Sequence, residues 1–409
     1  MDAGGMMLLL ATMFALSAEA ARWFSHVQYL ASDRLEGRNT GTRGYRLAAD
    51  YVAKQFAEAG LEPAGHRGYF QPVDYIVRRT DSKRSRVMVG DRELVIGRDV
   101  VLVLRGTGDA SKHVDTTEGD PKLAIIRSSE WEADRSDAAL PNAVLAEAAL
   151  REPKERPLTI VVSPDAAPLF TKGARIRADH VITTKRVTAP NVVGMIRGSD
   201  PSESVVVSAH LDHLGIGLPV NGDAIYNGAM DNASGVATII EIARELHARG
   251  VKPRRSIVFL APGAEEDGSY GSWYFVHHQL PKGTRVAADL NVDGASAFYP
   301  FRRVMAVGSD SLQAAVAAAA DANEVKVVPD PAPERNTVAG SDQYSFILAG
   351  IPALLVRATA PDTDGRKLII SIMQKAYHQP ADDLQLPWKP EYAPDFVHFM
   401  AEAVTSLSR

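Results

Sequence analysis

His210, Asp231, Glu266, Asp293 and His378 are side chains of metal-binding type, and a further carboxylate, Glu265, stands directly beside the third of them. Each of the first four follows, or lies just beyond, an apolar run of strand type. In an open α/β sheet the ends of the strands share one edge, and ligands collect there. Residues more than a hundred positions apart can therefore meet. Imidazole nitrogen and carboxylate oxygen suit zinc, and a carboxylate able to bridge suits two zinc ions. The chain has no cysteine, so thiolate zinc sites and disulfides are excluded.

Taken singly, each segment has an ordinary reading as well. In His210-Leu211-Asp212, side chains two apart on an extended segment point the same way, so Asp212 can hold one ring nitrogen while the other binds metal. The same triplet is equally a His–Asp hydrogen bond at a strand end. Asn227 to Gly235 is a polar, glycine-rich entry to a helix, where Asp231 or Asn232 is either an N-cap or a ligand. Glu265-Glu266 is either a solvated acidic loop or the pair that metal-assisted hydrolysis requires, one acid to bind and one to move a proton. Asp293 alone reads as a turn residue and His378 alone as a surface histidine. His213 reads as a supporting residue rather than a ligand.

The elements that must position these residues form two textures. Leu47, Ala48, Tyr51, Val52, Phe56 and Ala59 recur at helical spacing, and Gly60 supplies a stop. Between about Asp74 and Ala189, short β-type runs (Arg86–Val89, Glu93–Ile96, Val100–Leu104, Leu123–Ile126, Leu158–Val162) alternate with charged loops, broken by one expected helix, Ala143–Arg151. From about residue 190 the pattern alternates strand and helix. Strands are expected at Val205–Ala209, Ile257–Leu260, Ala287–Val292 and Ala353–Val356, and helices at Ala233–Ala248, Ala314–Ala322 and Asp395–Leu407. That alternation implies an α/β fold with a mixed, largely parallel central sheet flanked by helices. The expected division is a catalytic domain from 21–73 and 190–409, with 74–189 as a small β-rich insert.

At 409 residues, 45% hydrophobic and 23% charged, the composition is that of a soluble globular protein of more than one domain. A net charge of −5 gives no footprint for nucleic acid. The apolar run Met7–Leu16 followed by Ala18-Glu19-Ala20 reads as a signal peptide over 1–20, and hence an exported protein, although the n-region carries Asp2 and no Lys or Arg. No other run is long and apolar enough to span a bilayer.

Together the segments Ser208 to Gly215, Asn227 to Gly235, Glu265-Glu266 with Gly271-Ser272, Asn291-Val292-Asp293, Gly340-Ser341-Asp342 and Tyr377-His378 resemble the co-catalytic dizinc aminopeptidases of the aminopeptidase Y and aminopeptidase S type. Leu35-Glu36-Gly37-Arg38 matches the start of the same catalytic domain, and the insert looks like a protease-associated domain. The resemblance implies two Zn²⁺ ions, one held by His210 and Asp293 and the other by Glu266 and His378. It also implies that Asp231 bridges them through a residue pair, Asp231-Asn232, joined by a cis peptide. Glu265 is then the general base and Asp212 the orienter of His210, acting on peptides with a free N-terminus. Tyr270, where relatives commonly carry an aliphatic residue, is a departure that leaves both glutamates in place. Three other readings compete. A zinc carboxypeptidase or dipeptidase would need a cationic clamp, with Arg302, Arg303, Arg335 and Arg357 as candidates. A glutaminyl cyclase would need one zinc, and a non-catalytic binding module would be expected to have lost ligands.

Overall fold

Val205, Val206 and Val207 are fully buried in one strand, which is possible only where a sheet is covered on both faces. Successive side chains leave a strand on opposite faces. Accordingly Val205 and Val207 pack with Ile257, Phe259 and Leu290 on one side, while Val206 packs with Val258, Leu260 and Phe275 on the other. The computed structural model describes residues 16–104, 111–129, 142–146, 157–278, 284–294, 297–331, 333 and 336–409.

Among these the largest sheet has ten strands: β1 (Glu62–Pro63), β2 (Phe70–Thr80), β3 (Asn142–Leu145), β4 (Ile182–Ile196), β5 (Asp200–Ser208), β6 (Arg255–Ala261), β7 (Arg285–Asn291), β8 (Arg303–Gly308), β9 (Lys326–Val327) and β10 (Ala353–Thr359). Their order is β9-β8-β10-β7-β5-β6-β4-β2-β3, with β1 paired to β4. The four middle strands, β6, β5, β7 and β10, run parallel, whereas β4, β2 and β3 add antiparallel on one side and β8 on the other. The expected mixed α/β sheet is present, with its parallel character concentrated at the centre.

Helices Ala18–Leu30, Arg43–Glu58, Ser234–Ala248 and Ala393–Leu407 cover one face through Trp23, Val52, Ile239 and Phe399. Tyr270–His277 and Gln343–Leu348 cover the other through Phe275 and Phe346. Ser234–Ala248 is buried almost all round over its first ten residues, as suits a helix inside the molecule rather than on its surface. It ends where Gly250 takes a left-handed conformation (φ 61°) and its N–H reaches the His247 carbonyl. Ala18, placed in the expected leader, opens a helix capped by Ser17, and Ala20 of that helix is buried; residues 1–15 lie outside the described part. Among the described residues no helix is long and apolar enough to cross a membrane.

Between Arg86 and His180 the chain builds two smaller sheets with their own core of Val87, Leu102, Ile160, Phe170 and Ile176. One contains Arg92–Leu94, Arg86–Val89, Arg175–His180 and Lys112–Thr117; the other contains Val100–Leu102, Leu158–Val162 and Leu123–Arg127. Positions 74 and 189, where the sequence suggests the insert begins and ends, fall within one unbroken antiparallel ladder between β2 and β4, running from Phe70–Val192 to Thr80–Ile182. The β4 side of its outer part is polar and largely exposed, so its sequence reads as loop, whereas Val77 and Arg78 on the β2 side are buried. One expectation is overturned. Ala143–Leu145, the start of the expected helix Ala143–Arg151, forms strand β3 against β2, with Tyr75 opposite Leu145 and Val77 opposite Ala143. Helix propensity loses there to burial, since all three residues are at most 2% exposed; residues 147–151 lie outside the described part.

Candidate metal centre

The parallel strands β5, β6 and β7 are in register at their C-terminal ends, with Ser208 opposite both Leu260 and Asn291. His210, Glu265-Glu266 and Asp293 therefore leave the sheet at one edge, as the spacing requires. Asp231 arrives from the irregular turn Ala229–Ala233 before helix Ser234–Ala248, and His378 from just beyond helix Thr363–Ala376. The Asp231–Asn232 peptide is cis. Gly228, at φ 63°, cannot be another residue: a Cβ there would lie 2.3 Å from the Asp231 carbonyl and 2.4 Å from the His213 ring.

The six side chains selected from the sequence, His210, Asp231, Glu265, Glu266, Asp293 and His378, come together. Asp231 Oδ1 is 3.1 Å from His210 Nε2, and its Oδ2 is 3.4 Å from His378 Nε2. Asp293 Oδ1 lies 3.7 Å from His210 Nε2, and Glu266 Oε2 lies 3.2 Å from His378 Nε2. Asp231 thus stands between two imidazoles, each with its own second carboxylate. Glu265 approaches less closely, at 4.0 Å from His210 Nε2. Ligand atoms of His210, Asp231 and Asp293 lie within 4.8 Å of one another, as do those of His210, Glu265 and Glu266 and those of His213, Asp231 and Glu266.

His210 Nε2 is fully buried and has no hydrogen-bond partner, although carboxylate oxygens surround it. A buried polar atom left unpaired is costly. A divalent cation would satisfy it, and neutral imidazoles with ionised carboxylates form a donor set suited to zinc. The residues present therefore fit the metal.

Carboxylates dominate the electrostatics of the site. Burial alone would lower the pKa of His210, but Glu265, Asp231 and Asp293 raise it well above the ordinary value, and Glu266 and Asp231 do the same for His378. Burial opposes ionisation of Asp231 and Glu266, yet the imidazoles hold Asp231 well below the usual carboxylate range and Glu266 at about 2. Glu265 moves in the opposite direction. Burial, with the negative charges of Glu266, Asp342 and Asp293, raises its pKa well above the ordinary value despite His210. One of the adjacent glutamates is held as an anion and the other is disposed to take a proton.

The supporting groups differ from the sequence reading in one respect. The Asp212 carboxylate does not reach the His210 ring: Nδ1 is 3.9 Å from Oδ1 and instead lies 3.2 Å from the Asp212 backbone carbonyl. The carboxylate accepts the Glu265 and Glu266 backbone N–H groups at 3.1 and 3.4 Å, so Asp212 orients the histidine through its main chain and the glutamate loop through its side chain. His213 is fully buried with Nδ1 2.5 Å from Glu266 Oε1, which makes it a brace for that glutamate.

Two further residues carry the Asp231 turn. The buried Arg38 guanidinium donates to the carbonyls of Leu211 (2.8 Å), Gly228 (2.7 Å), Asp231 (3.2 Å) and Asn227. Asp382 accepts the Met230 and Asp231 N–H groups at 2.7 and 3.0 Å, and burial pushes its carboxyl up to about 6. Arg38 belongs to a segment singled out in the sequence, but nothing in the sequence marked its burial. Asp382, four residues after His378, gave no signal.

Of the arginines considered as a clamp, Arg357 lies at the site and donates from Nε to the Asp293 carbonyl at 2.5 Å. Arg302 lines a different cavity with Arg22, Glu241 and His398, Arg303 is an exposed residue of β8, and Arg335 lies outside the described residues.

The chain is 34% identical over 130 residues to the mouse protein named aminopeptidase NAALADL1, a match spanning 30% of this chain but only 16% of that protein. An aminopeptidase from Aneurinibacillus sp. strain AM-1 superposes with a TM-score of 0.63 at 17% identity, covering 95% of this chain and 94% of the other. BSAP, a zinc aminopeptidase from Bacillus subtilis, gives 0.63 at 18% identity, covering 95% of each. These two superpositions show a shared fold. The profile of Peptidase family M28 matches residues 191–398, just over half of the chain and the stretch holding every candidate ligand, so the protein belongs to peptidase family M28.

Proposed function

We propose that the protein is a dizinc aminopeptidase that removes N-terminal residues from peptides. The observation that carries this reading is the position of Asp231, with one oxygen toward His210 and the other toward His378. A carboxylate so placed can be shared by two ions, one completed by His210 and Asp293 and the other by Glu266 and His378. Bound there, the zinc ions would acidify a water molecule and polarise the scissile carbonyl.

The chain's own residues supply the rest. Glu265, disposed by its surroundings to take a proton, accepts one from the attacking water and returns it to the departing amine. Asp212 fixes the backbone from which Glu265 and Glu266 project. Arg38 and Asp382 hold the Asp231 turn. His213 keeps Glu266 turned toward His378. The names of the Bacillus subtilis, Aneurinibacillus and mouse proteins support N-terminal specificity. A carboxypeptidase needs a cation for the substrate carboxylate, and Arg357, the candidate at the site, is engaged with Asp293.

Zinc analysis should give two ions per chain, and an aminoacyl anilide should be cleaved while its N-acetylated form is not. Equal cleavage of the blocked substrate would refute the N-terminal specificity, and a single tightly held ion would refute the two-metal reading. Export also belongs to this proposal and rests on the apolar run Met7–Leu16; N-terminal sequencing of the mature protein checks it.

A further inference from the structure

The insert and the metal edge are joined by a side-chain contact. Strand β3 belongs to the segment between β2 and β4 that also builds the small sheets, yet it pairs with β2 as an edge strand of the large sheet. Its first residue, Asn142, lies opposite Arg78 and sends Nδ2 to Asp267 Oδ1 at 3.1 Å across 125 residues of sequence. Asp267 immediately follows Glu265-Glu266. The turn that begins there is closed by hydrogen bonds from the Gly268 and Ser269 N–H groups to the Glu265 carbonyl, at 2.8 and 2.9 Å. Asp212 holds the N-terminal end of this turn through the Glu265 and Glu266 amides. Beyond Asp267 the turn is also tied from outside by the Ser345 hydroxyl, which donates to the Ser269 carbonyl at 3.3 Å, whereas the Asn142 amide is the side chain that reaches Asp267 from the segment between β2 and β4.

We infer that Asn142 is a positioning residue: through Asp267 the insert holds the turn that carries Glu265 and Glu266, and so sets the aim of the proton-transferring glutamate. This rests on the role proposed above for Glu265. Hydrogen-bonded partners of site residues commonly change activity by ten- to a hundredfold when removed, because small displacements of reacting groups are costly.

The test uses the full-length zinc-loaded protein and four variants, Asn142→Ala, Asn142→Asp, Asp267→Asn and the reciprocal pair Asn142→Asp with Asp267→Asn. Asn142→Ala is expected to lower kcat roughly tenfold or more with KM within about twofold, and to speed amide exchange over residues 265–269. The reciprocal pair restores one donor and one acceptor, so it should recover much of the lost kcat, a coupling that a double-mutant cycle isolates. A purely structural role would lower the melting temperature while leaving kcat per folded molecule and the exchange of 265–269 unchanged, and that result would overturn the inference. So would a reciprocal pair no better than the worse single variant. If the role of Glu265 is itself wrong, Glu265→Gln keeps its activity, whereas amide exchange still reports whether Asn142 holds the turn.

Discussion

Glu265 and Glu266 are neighbours in the chain with opposite electrostatic fates, and the cause is what each side chain meets. Glu266 lies against His378 and His213, which lower its pKa, while burial together with Glu266, Asp342 and Asp293 raises that of Glu265 in spite of His210. On the proposed dizinc mechanism, Glu265→Gln is expected to keep the zinc content of the unaltered protein and lose about 10²–10⁴-fold in kcat, the usual span for removing a general base. Zinc analysis beside steady-state kinetics checks it, and undiminished turnover would remove Glu265 from the mechanism. Asp231→Ala should instead lower the occupancy of both zinc positions, because one side chain faces both imidazoles. Loading with two ions per chain in that variant would show that the bridge is not needed. At this scale the sequence was informative about residue type and poor about direction. It marked Asp212 as a partner of His210 but gave no sign that the contact runs through the backbone carbonyl, because side-chain aim depends on torsions that spacing does not specify.

At the scale of elements, the turn Asn227–Asp231 is a backbone segment whose polar groups are satisfied from two distant parts of the chain. Arg38 takes its carbonyls and Asp382 its amides. Asp382→Ala leaves two buried N–H groups unpaired, which should cost about 1–3 kcal/mol for each group left without a partner. Thermal or denaturant unfolding measures that loss, and zinc affinity should fall with it because Asp231 is no longer fixed. A variant with unchanged stability and metal affinity would show that the turn holds its shape alone. The central strands were legible because continuous apolar runs mark burial on both faces. Strand β3 was not, since Ala143, Val144 and Leu145 suit a helix as well as an edge strand, and only the free edge of β2 decides between them.

For the whole molecule, the metal is expected to be part of the stability as well as the chemistry. Asp231, Glu266 and the neighbouring acids bring several negative charges into a largely buried space. A cation that binds only the native state stabilises it by mass action, by about 2.7 kcal/mol when free ion exceeds Kd a hundredfold. Chelation should therefore abolish hydrolysis and lower the melting temperature together, and re-addition of zinc should restore both; a chelated protein with unchanged melting would show that the site bears no such load. The sequence by itself determined the alternating α/β architecture, the strand ends at which candidate ligands appear, and six side chains that the fold brings together. Those properties follow from burial periodicity and side-chain chemistry, which are written locally. Only the tertiary structure decided that β2 and β4 form one ribbon running into the insert, that Arg38 and Asp382 grip the Asp231 turn, and that Asn142 reaches Asp267. Each of these is a pairing between hydrogen-bonding groups far apart in sequence, and such groups carry no mark of their partner until the chain has folded.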